Sequence, residues 1–186
     1  AASGLFTAAT DPVDQAGLVR ATVDGVSGAA RVRVVRPLPW TEDFESVAEG
    51  QLPAGWINVT AAKFGVAAIG GTRALHKTPD NTLFKRMRVF MGSAEFSNYT
   101  VRADVQTPTR RRQQGDVGIT AQRYSLILYG NSQRVKIEPW EPETARTVTV
   151  PFPWKPDTWY SLKLEVQNQA DGAVRARGKV WPAGEP

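Results

Sequence analysis

The feature that most constrains the fold is the stretch of residues 158–181, TWYSLKLEVQNQADGAVRARGKVW, in which apolar and polar side chains alternate. Across residues 160–166 the apolar side chains occupy the even positions, so they share one face of a β-strand and the polar ones share the other. Residues 168–172 have the composition of a turn, and residues 173–181 alternate again. The pattern predicts an antiparallel hairpin with one face on a hydrophobic core and the other in water.

Much of the remaining chain repeats this pattern of short apolar runs, separated by glycine and proline, of which there are 16 and 13. Because apolar residues never follow helical spacing for more than a turn or two, we expect an all-β antiparallel sandwich or barrel. In the predicted strand 115–123, Val117, Ile119 and Ala121 share one face. The other predicted strands cover residues 64–69, 73–77, 83–90, 99–106, 125–130, 133–138 and 144–150.

The first 36 residues differ from the rest because they contain no Trp, Tyr or Lys. Strands are predicted in this segment at residues 4–8, 18–23 and 29–35. Between the last two, the pair Asp24-Gly25 indicates a tight hairpin turn. The proline-rich sequence PLPW that follows predicts a semi-rigid linker, since proline holds the backbone extended. The expected domains are residues 1–36, a linker at 37–40 and a main domain at 41–186.

Two sets of motifs resemble known families. GLFTA followed by VRATVDGVSGAARVRV resembles the last strands of a bacterial immunoglobulin-like domain, with a β-appendage packed on the main domain as the alternative. EDFES, LPAGW, NYTVRADVQ, GDVGITAQRY, KPDTWYSLKLEV and ARGKVW together resemble the concanavalin A-like, laminin-G-like jelly roll. Their order is similar to the module that follows a pyrroloquinoline-quinone-type β-propeller repeat and an immunoglobulin-like segment in some large exported bacterial proteins.

The resemblance implies a jelly-roll module whose partners include neighbouring domains of a larger chain, placed in the periplasm, at the cell surface or outside the cell. It also implies a further strand after Trp181 that pairs near Asp43 and Phe44, so we expect a fragment whose sandwich lacks its last strand. It specifies activity weakly, because one fold hosts many functions. Sandwich domains described as 3-keto-disaccharide hydrolases are also similar, which keeps an enzyme of the sugar-hydrolase type open.

Composition bears on several classes of partner. The chain has no cysteine, and no apolar run approaches the roughly 18 residues of a membrane helix. The net charge of +5 allows attraction to acidic polymers but does not require it. The run Arg110-Arg111-Arg112 has no interleaved aromatic residue, so we interpret it as a solvated loop and do not expect a nucleic-acid partner.

Candidate catalytic residues are few. His76 is the single histidine, so it cannot form a site that needs two, and no serine motif lies near it. Glu138, Glu141 and Glu143 cluster in IEPWEPE, but the E-x-D-x-x-E pattern of concanavalin-like glucanases is absent and the prolines indicate a solvated loop. The resemblance to laminin-G-like modules, some of which bind calcium, makes Asp43 a candidate calcium ligand, yet no cluster of further ligands accompanies it in the sequence. We predict no catalytic residue, metal or cofactor.

The tryptophans fall into two groups. Trp56, Trp159 and Trp181 occupy strand or turn positions that the jelly roll buries, so a core role is expected. Trp140 and Trp154 lie in the proline-rich turns EPWEP and FPWKP. There they can act as platforms for a sugar ring or pack over the end of the sandwich.

A ligand site is predicted where polar and aromatic groups crowd around one strand connection. The residues assigned to it are Gln122, Arg123, Tyr124, Tyr129, Asn131, Gln133 and Trp140. The favoured function is a non-catalytic carbohydrate-binding or structural module, with the sugar-hydrolase enzyme and an assembly part of a larger chain as alternatives.

Overall fold

The computed structural model describes residues 5–11, 13–59, 63–79, 87–141 and 143–185. Strands make up 50% of the chain and helix 2%, which confirms the predicted all-β class. Every strand pair of the described residues is antiparallel, as expected, and the sheets are compatible with a β-sandwich. The chain divides into two compact units, residues 1–93 and 94–186. The predicted division at residues 37–40 stays a prediction.

The described strands of the first unit are β1 (Gln15–Val23), β2 (Val26–Val34), β3 (Ile57–Asn58), β4 (Phe64–Ile69), β5 (Thr72–Lys77) and β6 (Val89–Phe90). They pair as β1–β2, β3–β6 and β4–β5. The first hairpin forms as predicted, because Asp24 and Gly25 adopt the positive φ values of 48° and 81° that a two-residue turn needs. Most side chains on both faces of this ribbon are exposed.

The predicted strand at residues 4–8 is wrong for residues 5–8, which are not in a strand, while Gly4 lies outside the described residues. The first strand begins only at Gln15, because a strand needs a ladder partner and none is described for this segment. Of the predicted strand 83–90, Val89 and Phe90 are confirmed, residues 87 and 88 are not in a strand, and residues 83–86 lie outside the described residues.

Aromatic packing organises the first unit around Trp56. Its ring meets that of Phe44 edge-on at 5.7 Å between centroids, and the Trp40 ring lies 6.4 Å away. The Arg36 guanidinium sits 4.5 Å from the centroid of Trp40 and bonds Glu42 at 3.3 Å. The side chains on both sides of the proline-rich segment are therefore tied together.

The described strands of the second unit are β7 (Tyr99–Val105), β8 (Thr109–Arg110), β9 (Gln113–Gln114), β10 (Val117–Ala121), β11 (Tyr124–Tyr129), β12 (Arg134–Pro139), β13 (Val148–Pro151), β14 (Tyr160–Asn168) and β15 (Val174–Pro182). They form two larger sheets, with strand orders β10-β11-β12-β13 and β15-β14-β7, and the small pair β8–β9. A 3₁₀ turn covers Thr144–Arg146, and the helical part of the described residues is too short to cross a membrane.

The core of this unit lies between its two larger sheets. The inward apolar row predicted for the closing hairpin is confirmed, since Leu162, Leu164 and Val166 are fully buried, but Ser161 on the face predicted to be in water is fully buried too. Leu126 and Leu128 of β11 pack against them from the other sheet. The face predicted for β10 is also confirmed, because its three residues all belong to the core or pack against it: Val117, Ile119 and Ala121.

The predicted strand 144–150 is partly wrong. Residues 144–146 form the 3₁₀ turn, and the strand starts at Val148. Two interactions wind the chain here: Arg146 binds the Glu143 carboxylate, and the Thr147 hydroxyl donates to the Glu143 carbonyl at 2.8 Å. Such side-chain bonds compete with a strand ladder for the local backbone.

Strand β13 is the edge of its sheet and is poorly covered. Its inward residues Val148 and Val150 are 59% and 48% exposed. They border an apolar cavity of about 200 Å³ that Phe152 and Val180 also line. Strand β15 is likewise an edge, so these two strands leave one side of the second unit open in the part of the chain that is described.

Candidate ligand-binding site

The outward face of the four-stranded sheet is polar near β12 and β13. On β12, Val135 and Ile137 pack against the core, so Lys136 and Glu138 point to the opposite face. Thr149 of β13 is the direct partner of Lys136 and therefore shares this face. The alternation that predicted an inward apolar row thus also creates an outward polar row.

Tyr129 ties this row together. Its hydroxyl donates to Oε2 of Glu138 at 3.0 Å, and Lys136 Nζ lies 4.7 Å from the centroid of its ring. Glu138 is only 5% exposed, so a hydrogen bond to its carboxylate contributes more than one at the surface would. An ammonium over a tyrosine face adds a cation–π attraction. These contacts restrain all three side chains.

The 3₁₀ turn provides the other wall of a depression of about 330 Å³, which we call the β12–β13 depression. It is lined by Lys136, Glu138, Glu143, Thr144, Thr147 and Thr149. The side-chain hydrogen bond from Arg146, with its positive charge, lowers the pKa of Glu143. Glu143 therefore stays ionised to a lower pH than an ordinary glutamate.

The depression offers both donors and acceptors of hydrogen bonds. Two carboxylates accept, one ammonium donates, and the threonine hydroxyls do either. All the lining side chains described are polar or charged, which suits a hydroxyl-rich ligand better than an apolar one.

The structure divides the sequence-predicted site residues between the two ends of β11. Gln122, Arg123 and Tyr124 lie at its start, where the Trp140 backbone N–H donates to the Arg123 carbonyl at 2.6 Å. Tyr129 lies at the other end, roughly 17 Å away for five residue steps of an extended strand. The residues assigned together therefore do not form one cluster.

Several of these residues support the fold directly. The Gln133 amide donates to the Gly130 carbonyl at 2.7 Å, and its Oε1 accepts the Trp154 backbone N–H at 2.7 Å. Asn131 Oδ1 accepts the Gln114 backbone N–H at 3.0 Å. At the opposite end, the Gln122 backbone N–H donates to the Tyr99 hydroxyl at 2.7 Å.

The tryptophans also separate by burial. Trp154 is 3% exposed, meets Tyr160 edge-on at 5.8 Å and donates from Nε1 to the Tyr129 carbonyl at 3.3 Å, so it belongs to the core. Trp140 is 44% exposed and lies in a bend just after the end of β12. Of the expected core tryptophans, Trp181 lies on an outward sheet face and is half-buried.

The expected acidic loop needs a correction at Glu138. This residue lies in β12 and is buried, because Pro139 ends the strand instead of interrupting it. Glu141 and Glu143 are exposed outside strands. His76 is exposed on β5, paired with Gly65, and no group of metal-ligating side chains is found among the described residues.

Sequence reasoning missed Lys136, Thr147 and Thr149 as members of a site. The signal lies in the alternation of β12 and β13, where each polar residue next to an inward apolar residue faces outward. The sequence alone does not show where β13 starts after the 3₁₀ turn, and this start decides which threonines face outward.

No protein-family model, curated protein or solved structure matches this chain. Its class is therefore set by its own architecture: an all-β protein of antiparallel sheets, compatible with a sandwich, with a polar depression on one sheet.

Proposed function

We propose that residues 41–186 form a concanavalin A-like jelly-roll module of a larger exported bacterial protein, and that this module binds carbohydrate without catalysis at the β12–β13 depression. The single observation that supports this function is that every residue lining the β12–β13 depression has a polar or charged side chain. Sugar hydroxyls both donate and accept hydrogen bonds, so they match a mixed set of carboxylates, threonines and one ammonium.

Trp140 extends this proposed site. It lies two residues after Glu138, just beyond the end of β12, and exposes 44% of its surface, so we propose that its indole stacks on a sugar ring while the depression binds the hydroxyls. A shallow site with one platform predicts weak binding, since few ligand atoms become enclosed.

Titration of the full chain with neutral oligosaccharides, found first in a glycan screen, tests this proposal. Trp140→Ala should weaken binding about fivefold, the equivalent of about 1 kcal/mol for one aromatic platform. Thr149→Ala should weaken it as well, whereas Thr109→Ala, an exposed residue of β8 that does not line the depression, should not. Equal affinity in all variants would leave a structural module as the remaining role.

A glycoside-hydrolase-like enzyme of the 3-keto-disaccharide type is the second candidate, because Glu138 and Glu143 line the same depression. Hydrolysis of a glycosidic bond uses two such carboxyl groups. The lowered pKa of Glu143 suits the ionised partner, and Glu138 would be the second carboxyl group. Turnover that disappears in both Glu138→Gln and Glu143→Gln, with binding retained, would support the enzyme over the binding module.

A further inference from the structure

The outward face of the three-stranded sheet carries a row of positive charges. Lys163 of β14 is the direct partner of Arg102 on β7 and of Lys179 on β15, so three cations lie side by side across the sheet. Directly opposed side chains share a face and lie close together, and like charges in such positions destabilise a sheet. We call these three residues the cationic row.

The positive charge continues along β15. Arg175, Arg177 and Lys179 occupy alternate positions, so they point to the same outward face at intervals of roughly 7 Å. All five cations of this face are exposed. The cationic row and this second line meet at Lys179.

Carboxylates do not neutralise this face. Two outward acids lie on it: Asp104, which accepts a hydrogen bond from Ser161, and Glu165, the strand partner of Arg177. Among the described residues, no carboxylate lies within ion-pair distance of any of the five cations. The face therefore has a surplus of three positive charges, five cations less two acids.

One aromatic residue lies within this charged surface. The Trp181 ring is 4.7 Å from Lys179 Nζ and 5.3 Å from the Arg102 guanidinium carbon, measured to its centroid. These contacts hold two cations beside the ring. They also occupy the surface that a nucleic-acid base would need for stacking.

We propose that this face is a second binding surface, for a linear anionic polysaccharide whose carboxylate or sulfate groups bind the cationic row and the β15 cations. A chain of acidic sugars presents charges along a line, as these residues do, and its hydroxyls suit the intervening Thr100 and Gln167. The ligand also removes the cost of the opposed like charges. The surface is separate from the β12–β13 depression and does not depend on the function proposed for it.

A single-stranded nucleic acid fits these observations less well. Proteins that bind single strands combine basic grooves with several free aromatic platforms. This face has one aromatic side chain, already in contact with two cations. A nucleic acid and an anionic membrane are therefore comparison ligands in the test.

The experiment is a binding titration of the full chain with polygalacturonate and with heparin, repeated over a series of salt concentrations. The test variant is the triple Arg102→Gln, Lys163→Gln and Lys179→Gln. The matched control is Arg110→Gln, Arg111→Gln and Arg112→Gln, which removes the same charge from the exposed β8–β9 turn.

The cationic-row variant should raise the Kd at least about tenfold and lower the slope of log K against log salt by about two, because bound counterions are released per neutralised charge. The control should change the Kd less than about twofold. Equal losses in the two triples, tighter binding of single-stranded DNA or of anionic vesicles, or no wild-type binding at low salt would overturn the proposal. Thermal unfolding checks the fold, and the single variant Lys163→Gln replaces the triple if its unfolding temperature falls.

Discussion

At the scale of single residues, the interaction between Tyr129 and Glu138 shows how the second unit positions its polar groups. A buried carboxylate must be hydrogen-bonded, because its solvation by water has been removed. The Tyr129 hydroxyl provides one such bond at 3.0 Å, while Lys136 packs on the ring of the same tyrosine. Tyr129 thus contacts both the Glu138 carboxylate and the Lys136 ammonium on the outward face of the sheet.

Removing this hydroxyl should weaken the fold. We expect Tyr129→Phe to lower the free energy of unfolding by about 1 to 3 kcal/mol, since it deprives a buried charged acceptor of a donor. Urea unfolding measures the loss. In a double-mutant cycle with Glu138→Gln, the two effects should be clearly non-additive, and strict additivity would show that the bond contributes nothing.

At the scale of elements, alternation predicted most of the described strands. Strand β4 has the predicted bounds, because Phe64–Ile69 is a short apolar run closed by Gly70 and Gly71. The residues predicted to form a site around β11 lie at both ends of that strand, because residues at a strand's two ends are separated by its length, and their role in binding stays a prediction. Glu138 was misplaced because a proline beside it has two outcomes, a broken strand or a strand end. Only the ladder with β11 decides between them.

The cationic row makes a prediction about the three-stranded sheet itself. Lys163→Glu places a carboxylate between Arg102 and Lys179 and turns two repulsive pairs into attractive ones. We expect a gain in unfolding free energy of about 0.5 to 1 kcal/mol, measured in urea at low salt. The matched control is Lys155→Glu, an exposed residue outside the strands with the same change in charge.

A gain no larger than that of Lys155→Glu would mean that lowering the net charge explains the effect. Added salt should reduce a true row effect, because screening weakens interactions between exposed charges.

At the scale of the whole molecule, most of the described buried apolar residues lie between the two larger sheets of the second unit. Leu162 is 0% exposed there and packs with residues of both sheets. Leu162→Ala should therefore lower the unfolding free energy by about 2 to 5 kcal/mol, through lost burial and the cavity left behind. Denaturant unfolding followed by tryptophan fluorescence measures this, with Trp154 as a core reporter.

The comparison for this variant is Leu18→Ala in β1, where the side chain is 51% exposed. We expect a change within about 0.5 kcal/mol for that substitution. A similar cost for both leucines would show that the second-unit core is not where the stability lies.

The two-stranded ribbon of β1 and β2 has a further consequence. Its strands pair over nine residues, yet most of their side chains are exposed to water. The hydrogen bonds between the two strands therefore have little side-chain cover. A two-stranded ribbon with most of its side chains exposed is marginal in water, so it should open by unzipping from the Asp24-Gly25 turn toward its base. At the base, opening is restrained because the Arg36 backbone N–H donates a hydrogen bond to Asp14 Oδ1 at 2.9 Å. Amide protons near the turn would then exchange with solvent quickly while those of β14 remain protected, giving the chain a graded local stability.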